Sequence, residues 1–386
     1  MTTKGIAEWF GLSRSNFILD PEADADFYAQ RTRVDIHSIV ESLRIDLVTE
    51  LAPKRLFWGL YGAGKTHTLF KVTIELEKLI PICPVHVECP NLAKKSTFVH
   101  LYHDGIMASM GQDFICKLFE DLIEDIGIVK REELLKRLKE VIGDEELSRA
   151  VASLLGADSN KKLAFWRYIS GVSVPQRDIA DLGQTQDLTT AEPAKLAEII
   201  VIIGKALKSI KKQTLVLILD ELDRLEYVGA ETGTTFQNAF RKLMDPNQRD
   251  VAVLIGCSAE NLTKLPEVFG VTTVDSLGPV ISRLGRANLI EISQIDPEDA
   301  DAFIKAIIQH FRKKNLNIDE RIAELKQKTS ESIEPDFFPF TKESIEALKG
   351  TLGGIMTPRE IIQRMTQAAG KAYLMQKSVI TKEVIG

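Results

Sequence analysis

The chain has 386 residues, enough for two or three domains of about 100 to 200 residues each. Hydrophobic residues make up 44% and charged residues 27% of the sequence, which is ordinary for a globular protein and excludes a disordered chain. The net charge of −6 argues against a protein that coats nucleic acid with its whole surface, but it permits a local basic face.

The N-terminal part of the chain is predicted to begin irregularly and then to alternate helices with strands. Residues 1–33 contain Pro21 and scattered aromatic side chains and are expected to be irregular. Apolar residues at helical spacing predict a helix over 34–51, which Pro53 ends. A strand, a helix and a second strand are predicted next, over 55–58, 67–79 and 84–89.

Between the first strand and its helix, the sequence matches a phosphate-binding loop completely. Residues 59–66 read Gly-Leu-Tyr-Gly-Ala-Gly-Lys-Thr, the pattern G-x-x-x-x-G-K-[ST]. Glycines let backbone N–H groups turn toward phosphate oxygens, and the following helix points its positive end at the same anion. Lys65 adds a mobile cation, and Thr66 offers a hydroxyl to Mg²⁺. The candidate nucleotide-binding residues here are Gly59, Tyr61, Gly62, Ala63, Gly64, Lys65, Thr66 and His67.

Residues 100–212 are predicted to be charged and largely helical. Helices are expected near 115–126, 132–142, 145–155 and 194–210. The stretch 171–190 is predicted to be a loop because it is rich in Gly, Pro, Asp, Thr and Gln. Four lysines precede the next strand: Lys205, Lys208, Lys211 and Lys212. They could contact DNA, although cations are also favoured at a helix C-terminus.

The strand after this region ends in two carboxylates. Residues 214–219 form a continuous apolar run, typical of a strand buried on both faces of a parallel sheet. Asp220 could hold Mg²⁺ through water, and Glu221 could orient and deprotonate the attacking water. Acidic residues also end strands with no catalytic role. The phosphate-binding loop earlier in the chain favours the functional interpretation.

Further polar residues are candidates for contacts with a nucleotide. A second buried strand is predicted over 251–255 and leads to Ser258, which could contact the attacking water or the γ-phosphate, with Asn261 as the second candidate. Arg283 could neutralise charge on the transferring phosphoryl group, and Arg286 is the alternative. The structural interpretation of either arginine is a surface ion pair.

The last part of the chain is predicted to be all helical. After a weaker strand over 288–292, helices are expected near 297–314, 318–329, 341–350 and 357–376. The final one begins Thr357-Pro358-Arg359-Glu360, and proline is favoured at a helix start. Arg359, in that first turn, could face the nucleotide. Strands alternating with helices, followed by helices alone, indicate a doubly wound α/β domain and a small all-α domain.

Other functional classes find little support. Four cysteines without a C-x-x-C pair disfavour zinc sites and a disulfide framework. His100, His103 and Asp104 could bind a metal, but further ligand spacing is missing and a solvated loop is the preferred interpretation. The longest apolar runs are far short of the roughly 20 residues of a membrane span, and the N-terminus has no signal-peptide core. A cytoplasmic protein without membrane contact is expected.

Taken in order, these motifs resemble those of AAA+ ATPases. Residues 59–66 are similar to Walker A and 215–221 to Walker B. Ser258 falls where sensor 1 is expected, Ser282-Arg283-Leu284 resembles the arginine-finger box, and Gly354 to Glu360 resembles sensor 2. Asp220-Glu221-Leu222-Asp223 and the Thr-Pro-Arg-Glu helix are similar to the origin-recognition initiators and the transposon target-selector ATPases.

The resemblance implies a fold, cofactors and a domain plan. The implied fold is an AAA+ parallel sheet with helices on both faces, and the implied cofactors are ATP and Mg²⁺. Catalytic roles are expected for Lys65, Glu221, Ser258 and Arg283. Metal binding is expected for Thr66 and Asp220. Domains are expected over 1–33 (an N-terminal segment), 34–295 (the nucleotide-binding α/β domain) and 296–386 (the α-helical lid). Phe27 and Tyr28, with Arg31, could border the adenine pocket, although core packing explains them equally.

Two departures from the family pattern stand out. Asp220 lies 155 positions after Lys65, so about 80 to 100 residues appear as a mostly helical insertion, near 100–190. Only a short stretch follows the last predicted helix, where initiators usually carry a winged-helix DNA-binding domain, and direct origin binding is therefore disfavoured.

The sequence motifs suggest three functional hypotheses. The first is an ATPase that assembles into a ring or filament with ATP at the subunit junction and acts in a DNA-related process: replication, transposition or genome defence. The second is a signalling or scaffold ATPase with slow turnover that gates a protein effector. A nucleoside kinase or GTPase is disfavoured by Asp220-Glu221, by the helical lid and by the lack of an N-K-x-D tetrapeptide.

Overall fold

The computed structural model describes residues 5–29, 31, 33–89, 97–127, 130–189, 191–227, 239–245, 247–260, 284–326, 329–353 and 356–385, with the backbone alone at 97, 225–227 and 286. Helices dominate these residues, and strands are few and short. The fold is α/β, as the sequence predicts.

Five strands form one sheet in the order β2-β3-β4-β1-β5. Their bounds are Lys54–Gly59 (β1), Ile82–Glu88 (β2), Thr214–Asp220 (β3), Val251–Ser258 (β4) and Leu289–Glu291 (β5). Both β2 and β4 pair with β3 in parallel, and the register places Glu88 beside Asp220. The carboxyl ends of these three strands therefore lie along one edge of the sheet.

The helices of the described residues fall into three groups along the chain. Three precede or follow β1: Ile6–Phe10 (α1), Ile36–Val48 (α2) and Lys65–Glu77 (α3). Eight lie between β2 and β3: Thr97–His100 (α4), Ala108–Met110 (α5), Gln112–Ile126 (α6), Arg131–Ile142 (α7), Glu145–Ala152 (α8), Ser159–Ile169 (α9), Gln176–Asp181 (α10) and Pro193–Lys211 (α11). Five follow β5: Ala300–Phe311 (α12), Ile318–Leu325 (α13), Lys342–Thr351 (α14), Pro358–Leu374 (α15) and Lys382–Ile385 (α16). Short non-α turns occupy Leu101–Met107 (π) and Leu222–Tyr227 and Arg286–Asn288 (3₁₀).

The chain forms two compact units. One, here called the loop unit, comprises residues 1–39, 59–74 and 291–386, and the other, the sheet unit, comprises 40–58 and 75–290. The boundaries predicted at 33/34 and 295/296 stay predictions. The two compact units have other boundaries than these, because residues 59–74, which include the phosphate-binding loop, belong to the same unit as helix α15.

The sheet unit is built around β3. Residues 215–219 of this strand are all buried, as a continuous apolar run in a central strand requires. Helix α11 packs closely against the sheet because it carries Gly204, where a Cβ would lie 2.5 Å from the carbonyl oxygen of Asp250. The same core continues into the helical region after β2 through large buried side chains such as Phe119 and Phe165.

The loop unit has its own core. Apolar side chains of α12, α14 and α15 are buried together with Phe10 and Phe17 from the N-terminal segment. Phe340 belongs to this core, Phe337 packs against it, and Phe338 is buried as well.

Several predicted elements need correction. Residues 1–33 are not wholly irregular, since α1 occupies Ile6–Phe10, and the predicted loop 171–190 contains the short helix α10. In α10, burial of Ile179 outweighs the loop-like composition around it. His100 ends α4, and His103 and Asp104 lie in the π-helical turn rather than in a loop.

Candidate nucleotide-binding site

The phosphate-binding loop connects β1 to α3 through a tight backbone path. Gly62 and Gly64 have φ of +79° and +95°, values that side-chain-bearing residues rarely adopt. Gly59 is required for a different reason, because a Cβ there would lie 2.2 Å from the carbonyl oxygen of Ile292. Helix α3 starts at Lys65, so the motif has the strand–loop–helix context that phosphate binding needs.

Lys65 is held against the inside of the loop. Its ammonium group donates hydrogen bonds to the carbonyl oxygens of Gly59 (3.2 Å) and Leu60 (3.0 Å), and the residue is only 7% exposed. Thr66, the next residue, is half-buried on the first turn of α3. The loop therefore carries its cation and its hydroxyl where the sequence motif predicts them.

The N-terminus of α15 is seated directly on this loop. Thr357 caps the helix: its hydroxyl accepts a hydrogen bond from the N–H of Glu360, whose carboxylate in turn accepts one from the Thr357 N–H. The N–H of Arg359 donates to the carbonyl oxygen of Gly62 at 3.3 Å. A Cβ on Gly62 would approach the Cβ of Arg359 to 2.9 Å. The first turn of α15 thus contacts the loop through backbone and side chain together.

The side chain of Arg359 stacks on an aromatic residue of the loop. Its guanidinium carbon lies 4.0 Å from the centroid of the Tyr61 ring, within the range of a cation–π interaction. Tyr61 itself is 67% exposed. The structure thus brings together two residues that the sequence places in separate motifs.

Arg31 supplies a second cation beside the loop. It donates to the carbonyl oxygens of Ala63 (2.8 Å) and Ser293 (3.3 Å) and is 8% exposed. A Cβ on Gly64 would lie 2.9 Å from its guanidinium nitrogen. Burial lowers the pKa of Arg31, opposed by Tyr28 and Asp299, but an arginine keeps its charge at neutral pH. The sequence suggests either the border of an adenine pocket or core packing for Arg31, and its contact with the phosphate-binding loop was not predicted.

His67 is tied to the N-terminal segment. Its Nε2 contacts the carbonyl oxygen of Phe27, and the two rings are 6.1 Å apart. Burial lowers the pKa of His67, so the imidazole is neutral at pH 7 and Nε2–H acts as the donor to Phe27. The Tyr28 hydroxyl donates to the carbonyl oxygen of Val34. These contacts connect the start of α3 with the chain before α2, within the loop unit.

Within the sheet unit, the predicted acidic pair lies at the carboxyl end of β3. Asp220 is the last residue of the strand, and one of its carboxylate oxygens accepts a hydrogen bond from the N–H of Glu221 at 2.9 Å. Glu221 has φ of +56°, a left-handed conformation that is uncommon outside glycine. The backbone thus turns sharply at Glu221, directly after the strand.

Arg224 links Glu221 to the neighbouring strand. It forms an ion pair with the Glu221 carboxylate and a second one, 2.7 Å long, with Glu88 at the end of β2. Burial raises the pKa of the Glu221 carboxyl; Arg224 opposes this, and the charges of Glu88 and Asp220 add to it. A carboxyl with a raised pKa is better suited to accept a proton near neutral pH. Sequence reasoning missed Glu88 and Arg224; the i,i+3 spacing of Glu221 and Arg224 was the available signal.

Ser258 joins the same edge of the sheet. It ends β4, the neighbour of β3, and its N–H donates to the Asp223 carboxylate at 2.8 Å. Asp223 thereby ties the end of β4 to the turn that follows Glu221. Arg283 and Asn261 lie outside the described residues, as does Gly354, and so does the side chain of Arg286. Their predicted roles stay predictions.

The lysines considered for DNA contact are partly used within the fold. Lys211 forms an ion pair with Asp121, and Lys208 and Lys212 donate to backbone carbonyl oxygens. Among the described residues, no group of three or more His, Cys, Asp or Glu side chains is arranged to hold a metal ion. None of the helices in the described part of the chain is both long and apolar enough to cross a bilayer.

Comparisons with known proteins return structures alone: no protein family matches the sequence, and no curated protein is similar to it. The ORC1 protein of Aeropyrum pernix, solved in complex with DNA, is 12% identical; the match covers 99% of this chain and 68% of that one, with a TM-score of 0.43. The ORC2 protein of the same organism, solved with ADPNP and ADP, is 11% identical over 93% and 68%, with a TM-score of 0.49. Cdc6p of Pyrobaculum aerophilum is 11% identical over 94% and 68%, with a TM-score of 0.45.

All three identities are 12% or less, and what the chain does is argued from its own residues. The chain is an α/β protein whose first strand leads into a complete phosphate-binding loop.

Proposed function

We propose that this protein is a Mg²⁺-dependent ATPase that uses ATP binding to drive its own assembly. The observation that carries the proposal is the complete phosphate-binding loop between β1 and α3, with buried Lys65 inside it and Arg359 seated against Gly62. Lys65 and Arg359 would bind the β- and γ-phosphates, and the Gly62 to Gly64 backbone would cradle them.

The chemistry of the donor set fits Mg²⁺. The Thr66 hydroxyl and the Asp220 carboxylate are oxygen ligands, which this hard cation prefers, and bound Mg²⁺ would neutralise phosphate charge. Glu221 would orient the attacking water and take its proton, with Ser258 as a further polar contact. The raised pKa of Glu221 supports its role as base.

The test is nucleotide binding and oligomeric state measured on the same sample. Calorimetric titration of the full chain with ATP and ADP should show binding, and light scattering should show a larger species with ATP than without it. A protein that binds neither nucleotide would contradict the whole proposal. Binding without any change of mass would remove the assembly step alone.

We propose that Arg283 acts on the ATP that is bound by a neighbouring subunit. Arg283→Ala subunits should bind ATP normally but hydrolyse it poorly, and mixing them with Lys65→Ala subunits should restore part of the activity. In the mixed oligomer, the Lys65-deficient neighbour donates the intact arginine to a subunit that still binds ATP. Arg286→Ala is tested in parallel because it lies three residues further on. Confirmed mixed oligomers without any rescue by either variant would show that this segment shares no site between subunits.

A second candidate is a slow-turnover ATPase that gates an effector protein, and the ion pair of Glu221 with Arg224 favours it. A base held in an ion pair must leave it, or share it, to reach the attacking water. Arg224→Gln should therefore raise the turnover rate several-fold, measured by phosphate release at saturating ATP. A lower rate in this variant would mean that Arg224 positions Glu221 instead of restraining it. Arg137→Gln, in a surface i,i+4 pair with Glu133, is the matched control.

The proposal includes a role in a DNA-related process, because the sequence motifs resemble those of origin-recognition proteins. Three of the four lysines before β3 already contact other groups of the chain, so they are weak candidates for a DNA surface. Fluorescence anisotropy with duplex DNA, with and without ATP, separates a DNA-related switch from the effector-gating alternative.

A further inference from the structure

The contact of Arg359 with Tyr61 is the least expected feature of the loop. Tyr61 is the third residue of the phosphate-binding motif, at a position the motif leaves variable. Its ring is 67% exposed, yet it carries the guanidinium of Arg359 at 4.0 Å from its centroid. An exposed aromatic side chain at this place contributes little to the core, so packing alone does not account for it.

The main chain of Arg359 is already fixed by other contacts. Its N–H is bonded to Gly62, its Cβ lies against the Gly62 backbone, and the Thr357–Glu360 capping box holds the first turn of α15. What these contacts leave free is the long side chain beyond Cβ. An arginine side chain has many rotamers, and ordering it on binding carries an entropic cost. The Tyr61 ring restricts those rotamers before any ligand arrives.

Stacking leaves the hydrogen-bonding edge of the guanidinium available. A ring contacts the flat face of the group, whereas its five N–H donors point outward in the plane. An arginine stacked in this way can still bind two phosphate oxygens at once. The ring therefore orients the cation without using any of its donors.

We propose that Tyr61 is a positioning residue that orients Arg359 toward the terminal phosphate of a nucleoside triphosphate. The assignment rests on the proposed function, since it requires that the loop bind ATP. Tyr61 acts through Arg359, so its contribution falls on ATP and not on ADP, which lacks the terminal phosphate. Tyr61 is thus a determinant of the preference for triphosphate over diphosphate.

The test compares the ATP and ADP affinities of the wild type and four variants by calorimetric titration. Tyr61→Phe keeps the ring and should keep the wild-type ratio of the two affinities. Tyr61→Leu keeps bulk but removes the π face, and should weaken ATP binding by about two- to fivefold, the range of an exposed cation–π contact, with ADP binding unchanged. Arg359→Ala should lose more ATP affinity, because it removes the phosphate donors as well. The double variant Tyr61→Leu/Arg359→Ala should bind ATP as Arg359→Ala does, since the ring then has nothing to orient.

Tyr61→Trp tests the opposite change, a stronger contact with the arginine. Tryptophan offers the strongest face for a cation, so this variant should match or exceed the ATP preference of the wild type. Because Tyr61 is largely exposed, none of these changes removes a core side chain, and thermal unfolding of each variant verifies that the fold is kept.

Three results would overturn the assignment. Equal weakening of ATP and ADP in Tyr61→Leu would mean that the ring shapes the loop and not the arginine. Additive losses in the double variant would mean that the two residues act independently, and wild-type behaviour of Tyr61→Leu would remove the ring from the site. Each of these leaves the proposed ATPase function standing, whereas a wild type that binds neither nucleotide would overturn that function and this assignment together.

Discussion

Replacing Lys65 with alanine is expected to abolish ATP binding at physiological nucleotide concentrations and, with it, any ATP-driven assembly. The ammonium group lies inside the loop, bonded to the carbonyl oxygens of Gly59 and Leu60. Each hydrogen bond to a charged group is worth about 1.5–3 kcal/mol, so losing contacts to two phosphates should weaken binding by about 100-fold or more. Alanine is a strong helix former, and α3 should still begin at this position.

The matched control for this variant is Lys71→Ala. Lys71 lies on the same helix, and its ammonium group donates to the carbonyl oxygen of Asp26. The control should bind ATP as the wild type does, in a titration with a fluorescent ATP analogue. If Lys65→Ala kept the wild-type affinity while the fold was intact, the loop would not be the nucleotide site.

Glu221→Gln should keep ATP binding and lose turnover by about 10² to 10⁴-fold, the usual contribution of a general base. Glutamine has the length of glutamate and is equally able to occupy the sharp turn after β3, but its amide cannot take a proton from water. Single-turnover hydrolysis with saturating ATP measures the loss, and titration with ATP verifies that binding is kept.

The same variant carries a pH signature. Burial raises the pKa of the Glu221 carboxyl, so the wild-type rate should fall as the pH drops through that raised value and the base becomes protonated. The residual rate of Glu221→Gln should lack this acidic limb. Glu88→Gln removes a carboxylate from the same cluster without removing the proposed base, and should hydrolyse ATP within a few-fold of the wild type. A Glu221→Gln protein that turned over at the wild-type rate would exclude Glu221 as the base.

Features that depend on local spacing could be predicted from the sequence. The phosphate-binding loop is a run of eight consecutive residues, and its glycines are required by the backbone of that run. The strand β3 and its terminal Asp220 follow from a continuous apolar stretch, because a strand buried on both faces has no polar alternation. Helix α15 and its start follow from the Thr357-Pro358-Arg359-Glu360 signal, which the capping box then realises.

Contacts between these local features became visible only in the folded structure. Three contacts join residues that lie far apart in the sequence, so no sequence spacing predicts them. They are the contacts of Arg359 with Tyr61, of Arg31 with Ala63 and of Arg224 with Glu88. Helix α10 shows the same limit within one element, since burial of Ile179 outweighs a composition typical of loops. Local patterns reflect backbone sterics and periodic burial, whereas these contacts depend on how whole elements pack against one another.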